Sequence, residues 1–141
     1  SDLTFKWSGG DLAPNGKIYC APNDSTTVLI IDPSNDTVDT SSITGLVGTL
    51  KWAGCVLAPN GNMYCVPFFA TYVLIIDTNN DTADTTTLTG LSGTAKWWGG
   101  VIASNGKIYF VPRSSTTVAI IETDSSTKPT SRYLSAYYNK Y

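Results

Sequence analysis

The sequence contains no histidine, and charged residues make up only 14% of its 141 positions, against about 25% in typical globular domains. Without histidine, neither histidine metal ligands nor histidine general bases are available. The net charge is −2, so we expect no nucleic-acid partner, because such partners require clustered positive charge. No apolar run approaches the ~20 residues of a membrane-spanning helix, so we expect no membrane partner.

Motifs for catalysis and for cofactor binding are missing as well. The sequence has no serine nucleophile elbow, no cysteine paired with a base and no glycine-rich phosphate loop. Asp36 and Asp39 could in principle act as acid and base. The same pair recurs in the second repeat on a predicted outer strand, which is a poor place to exclude water. We therefore expect no catalytic residues, no cofactor and no enzyme activity.

What the sequence does contain is a repeat of 45 residues. The segment KWAGCVLAPNGNMYCVP (Lys51–Pro67) has near-copies at Lys6–Pro22 and Lys96–Pro112. Lys6–Leu50 and Lys51–Ala95 agree at 27 of 45 positions. A fixed period of about 20–50 residues is typical of propellers, solenoids and other arrays.

Each repeat is predicted to form four short strands. Asn15-Gly16 predicts a type I′ hairpin turn between the first two. In the third repeat Pro129 restricts the last segment to an edge strand or to no strand, because proline has no backbone donor. The predicted strands of the first repeat are approximately Gly9–Ala13, Lys17–Ala21, Thr27–Asp32 and Thr37–Ile43.

Four strands per 45 residues is the spacing of a β-propeller blade. The residues NGKIYC…VLIIDPSND resemble the kelch-type blade over about four-fifths of each repeat. In this chain, however, the glycine pair stands at the start of the first strand, and a tryptophan precedes it. We therefore predict an all-β, kelch-like propeller of one repeat domain, 1–141, with blades at about 6–50, 51–95 and 96–141.

Three blades are too few to close a ring, since propellers usually have 4–8. We expect two copies to join head to tail into a six-bladed homodimer; a filament and a piece of a longer repeat chain are the alternatives. Ser1–Phe5 and a tyrosine-rich tail are expected to complete sheets on neighbouring copies, because tyrosine is favoured at interfaces. The tyrosines of this tail are Tyr133, Tyr137, Tyr138 and Tyr141.

The tryptophans allow two interpretations. Trp7, Trp52 and Trp97 occupy the same position in each repeat. They could pack between blades, which is the preferred interpretation, or they could form sugar-stacking platforms with one glycan pocket per blade. Trp98 occurs in one repeat only and is therefore the better candidate for a specific contact.

The three cysteines are Cys20, Cys55 and Cys65. Cys20 and Cys65 are equivalent to Phe110 in the third repeat, so buried thiols are one prediction. Counting alternate residues along the Asn60-Gly61 hairpin puts Cys55 and Cys65 on opposite faces, which argues against a bond between them. A disulfide between Cys20 and Cys55 across adjacent blades is the alternative that we consider.

N-glycosylation sequons occur at Asn23, Asn35 and Asn80, all in predicted loops, so we expect a secreted, extracellular glycoprotein. The Asp- and Asn-rich loops around Asp36 and Asp81 match no calcium-binding pattern, so we expect no metal site. The function predicted from the sequence is a non-enzymatic structural protein that assembles with itself. The alternative is a glycan-binding, lectin-like propeller.

Overall fold

The computed structural model describes residues 5–123 and 129–135, which form three antiparallel sheets of four strands, one per repeat. Consecutive strands are neighbours in every sheet, so the all-β prediction with three blades is confirmed. No helix in these residues is long and apolar enough to cross a membrane. Blade 1 contains β1 (Trp7–Leu12), β2 (Ile18–Pro22), β3 (Leu29–Asp32) and β4 (Thr37–Asp39). Blade 2 contains β5 (Trp52–Leu57), β6 (Asn62–Pro67), β7 (Leu74–Asp77) and β8 (Thr82–Asp84). Blade 3 contains β9 (Trp97–Ile102), β10 (Lys107–Pro112), β11 (Thr117–Glu122) and β12 (Thr130–Ser135).

The outermost strands differ from the prediction. β4 ends at Asp39 rather than Ile43, because the Asp39 carboxylate accepts hydrogen bonds from the backbone of Ser41 and Ser42 and turns the chain. In blade 3, β12 begins directly after Pro129 and pairs with β11 as an edge strand, as the proline required.

The first hairpin of each blade has a different turn from the one predicted. The Gly16 N–H donates to the Ala13 carbonyl (3.0 Å), and Ala13 and Lys17 pair beyond it. Gly16 has φ +83°, whereas Asn15 is not among the residues with positive φ. The prediction of a type I′ turn, which needs both residues at positive φ, is therefore wrong. The loop has three residues, with glycine in the left-handed position, and the Asn15 side chain accepts from the Lys17 N–H (2.9 Å).

The glycine before the centre of each first strand forms a β-bulge, which shifts the register between Ser8 and Gly10. Gly9 has φ +59°, and a Cβ at this position would lie 3.2 Å from the Cα of Gly54 in the next blade. Gly9 thus allows the first strands of blades 1 and 2 to approach closely.

The core consists of two equivalent clusters, one between blades 1 and 2 and one between blades 2 and 3. We call the face of a blade that packs on the following blade its trailing face, and the opposite face its leading face. The buried side chains of blade 1's trailing face are Ala13, Tyr19, Ala21, Val28, Ile30, Ile43 and Leu46. They recur 45 positions later in blade 2 as Ala58, Tyr64, Val66, Val73, Ile75, Leu88 and Leu91. The leading faces that receive them contribute Trp52, Met63, Cys65, Leu74 and Ile76 in blade 2 and Trp97, Ile108, Phe110, Ala119 and Ile121 in blade 3.

Candidate functional site

The lysines that open the second and third repeats each bind a blade to the blade before it. The Lys51 ammonium is 3% exposed and donates to the carbonyls of Asn23 (2.9 Å), Ser25 (2.9 Å) and Gly48 (2.7 Å). Burial lowers the pKa of Lys51 below its ordinary value, although the nearby Asp24 carboxylate opposes this shift. Lys96, also 3% exposed, donates to the carbonyls of Phe68 and Gly93 in the same way.

Sequence reasoning missed this role of the lysines. The signal that could have revealed it is a lysine at the same position of all three repeats, in a chain where Lys and Arg together number nine. A buried ammonium is tolerated only when its donors are satisfied. A lysine repeated at this position therefore indicates a contact between blades that supplies the acceptors.

The three repeated tryptophans occupy the packing position. Each indole N–H donates to a backbone carbonyl 20 residues further along, at Thr27, Tyr72 or Thr117. Trp52 and Trp97 are buried, and Trp7, at the free end of blade 1, is half-buried. Trp52 and Trp97 therefore expose no ring face to a sugar, and the geometry favours the packing interpretation.

The outward-facing surfaces of the first and last blades are partly uncovered. On the leading face of blade 1, Lys6 is exposed and Leu12 is 55% exposed. On the trailing face of blade 3, Val101 and Val111 are 61% and 50% exposed, whereas their equivalents in blade 2, Val56 and Val66, are 6% and 0% exposed. The trailing face of blade 3 therefore exposes two valines whose equivalents are buried at the junction of blades 2 and 3, although Ile120 on the same face is 1% exposed. The leading face of blade 1 exposes the lysine position that is buried at both internal junctions.

A polar contact accompanies the apolar packing between blades 1 and 2. The Tyr19 hydroxyl donates to the Asp81 carboxylate of blade 2 (2.5 Å) and accepts from the Asn15 amide (3.0 Å). Burial, followed by the bond to Asp81, raises the pKa of Tyr19 to about 12. The Asn15 amide also donates to the Thr78 carbonyl (2.8 Å). In blade 3 the equivalent hydroxyl, that of Tyr109, accepts from the Asn105 amide (3.0 Å).

A pocket of about 550 Å³ lies where the repeats begin, at one end of the sheets, and is lined by all three blades. Its walls come from equivalent positions that differ in residue type, so the repeat produces one composite pocket rather than three. Trp98 packs edge-on against Phe68, with ring centroids 4.9 Å apart, and is 52% exposed. The lining residues are Phe5, Ser8, Asn23, Leu50, Phe68, Phe69, Ala95, Trp98, Arg113 and Ser114.

Two polar groups stand out in this apolar lining. The Arg113 guanidinium lies 5.2 Å from the Phe68 ring and 5.3 Å from the Trp98 ring, and it forms no ion pair with any residue in 5–123 or 129–135. Asn23 is buried; its amide donates to the Trp52 carbonyl (2.9 Å), while its side-chain oxygen has no donor among the described residues. The pocket therefore combines aromatic walls with the positive charge of Arg113, which has no acidic partner among the described residues.

The cysteine predictions require correction. Cys55 and Cys65 are directly opposite each other on β5 and β6, and their Sγ atoms, both thiols here, lie 2.7 Å apart. Counting alternate residues failed because paired residues of a hairpin share a face, whatever the turn between them. Cys20 lies opposite Gly10 on the leading face of blade 1, whereas Cys55 lies between blades 1 and 2. Cys20 and Cys55 are both free thiols in this structure.

The three sequons also differ in accessibility. Asn23 is 2% exposed, and its amide donates to the Trp52 carbonyl, which argues against glycosylation at this sequon. Asn35 and Asn80 are exposed; Asn80 donates to the Asp77 carboxylate (2.8 Å). The aspartates of these loops bind their own backbone, as Asp32 does with the Ser34 N–H (3.0 Å), which is the ordinary role of aspartate in turns.

Only part of the predicted self-association surface lies within the described residues. Tyr133 stacks on Trp97 with ring centroids 6.0 Å apart and remains 43% exposed. Tyr137, Tyr138 and Tyr141 lie outside the described residues, as do the first four residues of Ser1–Phe5. Phe5 itself is exposed, and its carbonyl accepts from the Asp24 N–H (2.9 Å).

Comparison with family models and with curated proteins gives no match. Solved structures do match. Virginiamycin B lyase from Staphylococcus aureus, in a catalytically inactive form with quinupristin, gives a TM-score of 0.71 at 14% identity, covering 99% of this chain and 45% of the lyase. A candidate gluconolactonase gives a TM-score of 0.63 at 9% identity, covering 92% of this chain and 48% of that protein. Hydrazine synthase from Kuenenia stuttgartiensis gives 0.60 at 16% identity, covering 92% and 37%.

These comparisons correct one prediction and support the predicted fold. The expectation of no enzyme activity is contradicted, because the structures of similar fold include a lyase and a candidate gluconolactonase. At these identities the likeness concerns the fold alone. The chain spans less than half the length of each of the solved structures named above. The chain thus has a β-propeller-type fold.

Proposed function

We propose that this chain associates with copies of itself, head to tail, through the trailing face of blade 3 and the leading face of blade 1. The observation that carries the proposal is the exposure of Val101 and Val111, whose equivalents are buried at the junction of blades 2 and 3. Inside the chain, a trailing face packs on a leading face at each junction between blades. A second copy is therefore the partner whose surface fits.

The internal junctions specify which contacts the new junction should contain. Lys6 of one copy would donate to the carbonyls of Arg113 and Ser115 of the next, as Lys51 does to those of Asn23 and Ser25. The Tyr109 hydroxyl would meet Asp36 of the next copy, as that of Tyr19 meets Asp81. A closed ring of two copies is favoured over a filament, because the arc superposes on 45% of a propeller-type chain, and two arcs would span about 90% of it.

The molar mass in solution tests this proposal. Size-exclusion chromatography with light scattering should give about twice the 15.1 kDa of one chain, or a larger series for a filament. Val111→Asp should give a monomer, because it places a charge on the trailing face of blade 3. The matched control is Val47→Asp, since Val47 is 76% exposed and its equivalent Ser92 is exposed too. A wild-type monomer at all concentrations would overturn the proposal, and would agree instead with further blades supplied by a longer chain.

The kelch-like repeat type and an extracellular location belong to the same proposal. The kelch-like pattern is supported by the NGKIYC and VLIID segments and by the four-stranded blades. Secretion and glycosylation are supported by the exposed sequons at Asn35 and Asn80, which occupy equivalent turns. Intact mass before and after glycosidase treatment of the secreted protein should differ by two glycans; no difference would count against glycosylation.

A second candidate function is glycan binding at the composite pocket, supported by the exposed Trp98 ring in its wall. Aromatic faces bind the apolar CH face of a sugar ring, and the positive charge of Arg113 favours an acidic sugar. On a glycan array, Trp98→Ala should abolish binding, and Arg113→Gln should abolish binding to acidic glycans only. Both side chains are exposed, so both variants should fold. If wild-type protein binds no glycan on the array, this candidate is wrong.

A further inference from the structure

The second blade contains a pair of cysteines at a position where the other two blades have room for one side chain. In blade 1 the pair is Gly10 opposite Cys20, and in blade 3 it is Gly100 opposite Phe110. A Cβ on Gly10 would lie 2.8 Å from the Cys20 sulfur, and one on Gly100 would lie 2.9 Å from the Phe110 ring. In those blades the larger side chain therefore lies over the glycine, and no room remains there for a second side chain.

Blade 2 replaces this glycine with Cys55 and keeps Cys65 opposite it. Both residues point to the leading face, between blades 1 and 2, where they are 8% and 0% exposed. Directly opposite residues of an antiparallel pair have Cα atoms about 4.5 or 5.5 Å apart, which lies within the ~4.4–6.8 Å range of disulfides. Two unbonded thiols would have to share space that a single side chain occupies elsewhere in the molecule.

We propose that Cys55 and Cys65 form a disulfide bond across the first hairpin of blade 2, leaving Cys20 as a thiol. The oxidant is a small-molecule disulfide of the glutathione type, which acts before the blades close over the pair. One cysteine thiolate attacks it, forms a mixed disulfide and releases one glutathione thiolate. The second cysteine thiolate then displaces the other glutathione thiolate and forms the Cys55–Cys65 bond. The two cysteines thereby lose two electrons and two protons, and the oxidant becomes two thiols.

Chemical cleavage can locate this bond, because Met63 is the one methionine of the chain and lies between the two cysteines. Protein refolded with glutathione disulfide should contain one alkylatable thiol when denatured. In the Cys20→Ser variant, cyanogen bromide should leave residues 1–63 and 64–141 joined until a reductant is added. Three alkylatable thiols in the refolded wild-type protein, or fragments of Cys20→Ser that separate without reductant, would overturn the proposal.

Thermal unfolding gives an independent measurement. Closing a loop of this size should raise the melting temperature by about 10 °C, so reductant should lower the Tm of wild-type protein and of Cys20→Ser by that amount. The matched variant is Cys55→Gly, which restores the glycine that blades 1 and 3 have and should fold. Its Tm should not respond to reductant. A wild-type Tm that is equally insensitive to reductant would contradict the inference.

Discussion

Replacing Lys51 with methionine removes the buried ammonium while keeping the length of the side chain. Lys51 binds three carbonyls, but the Asn23 carbonyl also accepts from the Lys51 backbone N–H (3.0 Å) and keeps a partner in the variant. The carbonyls of Ser25 and Gly48 have no other donor among the described residues. Ser25 is buried, and a buried acceptor without a partner costs about 1–3 kcal/mol, whereas Gly48 is exposed and its carbonyl can accept from water. We therefore expect a loss of about 2 kcal/mol in the free energy of unfolding.

The other two repeats supply matched variants. In Lys96→Met the Phe68 carbonyl keeps the backbone bond from Lys96 (3.0 Å), so only the Gly93 carbonyl loses its donor. Gly93 is exposed, so water can replace the lost donor, and the expected loss in the free energy of unfolding is about 1 kcal/mol. Lys6 is exposed, so Lys6→Met should change the stability of the monomer by less than about 0.5 kcal/mol.

Urea unfolding at pH 7, at concentrations where the protein is monomeric, measures all three variants. The loss in the free energy of unfolding should decrease in the order Lys51→Met, Lys96→Met, Lys6→Met. A Lys51→Met variant as stable as wild type would refute this order. A monomeric Lys6→Met variant that loses as much stability as Lys51→Met would refute it too. If copies associate as proposed, Lys6→Met should weaken the assembly while leaving the monomer intact.

Two further predictions concern pH. Because the pKa of Tyr19 is raised to about 12 from an ordinary value of 10.0, its contribution to stability is complete below pH 10 and is lost as the pH rises from 10 to 12. Tyr19→Phe should lower stability by about 1–2 kcal/mol at pH 7 and should flatten this alkaline loss in urea unfolding; an unchanged alkaline profile would contradict the assignment. Hydrogen bonds from Ser42 and Ser41 lower the pKa of Asp39, so its contribution is present above about pH 4 and is lost as the pH falls below that value. Asp39→Asn should therefore reduce the slope of stability between pH 4 and pH 2, and an identical slope would show that this carboxylate is not a determinant of acid stability.

The fold could be predicted from the sequence because its information is local and is repeated three times. The 45-residue period, the β-branched runs and the loops with Asn-Gly fix four short strands per repeat, wherever the repeats lie in space. Even there, one local detail was wrong. Asn-Gly is compatible with two hairpin geometries, and the positive φ of Gly16 alone selects the three-residue loop.

The candidate sites depend on which equivalent positions meet, and the tertiary structure decided that. The occurrence of Trp98 in a single repeat indicated a specific contact, but the pocket that it lines is built from Phe68, Arg113 and Asn23, which belong to different blades. Strand register places Cys55 opposite Cys65. Blade packing buries Asn23 and brings the ammonium of Lys51 to the carbonyls of the preceding blade. Periodicity determines the blades, because it records what every repeat shares; the sites lie where the repeats differ, and only their packing brings those differences together.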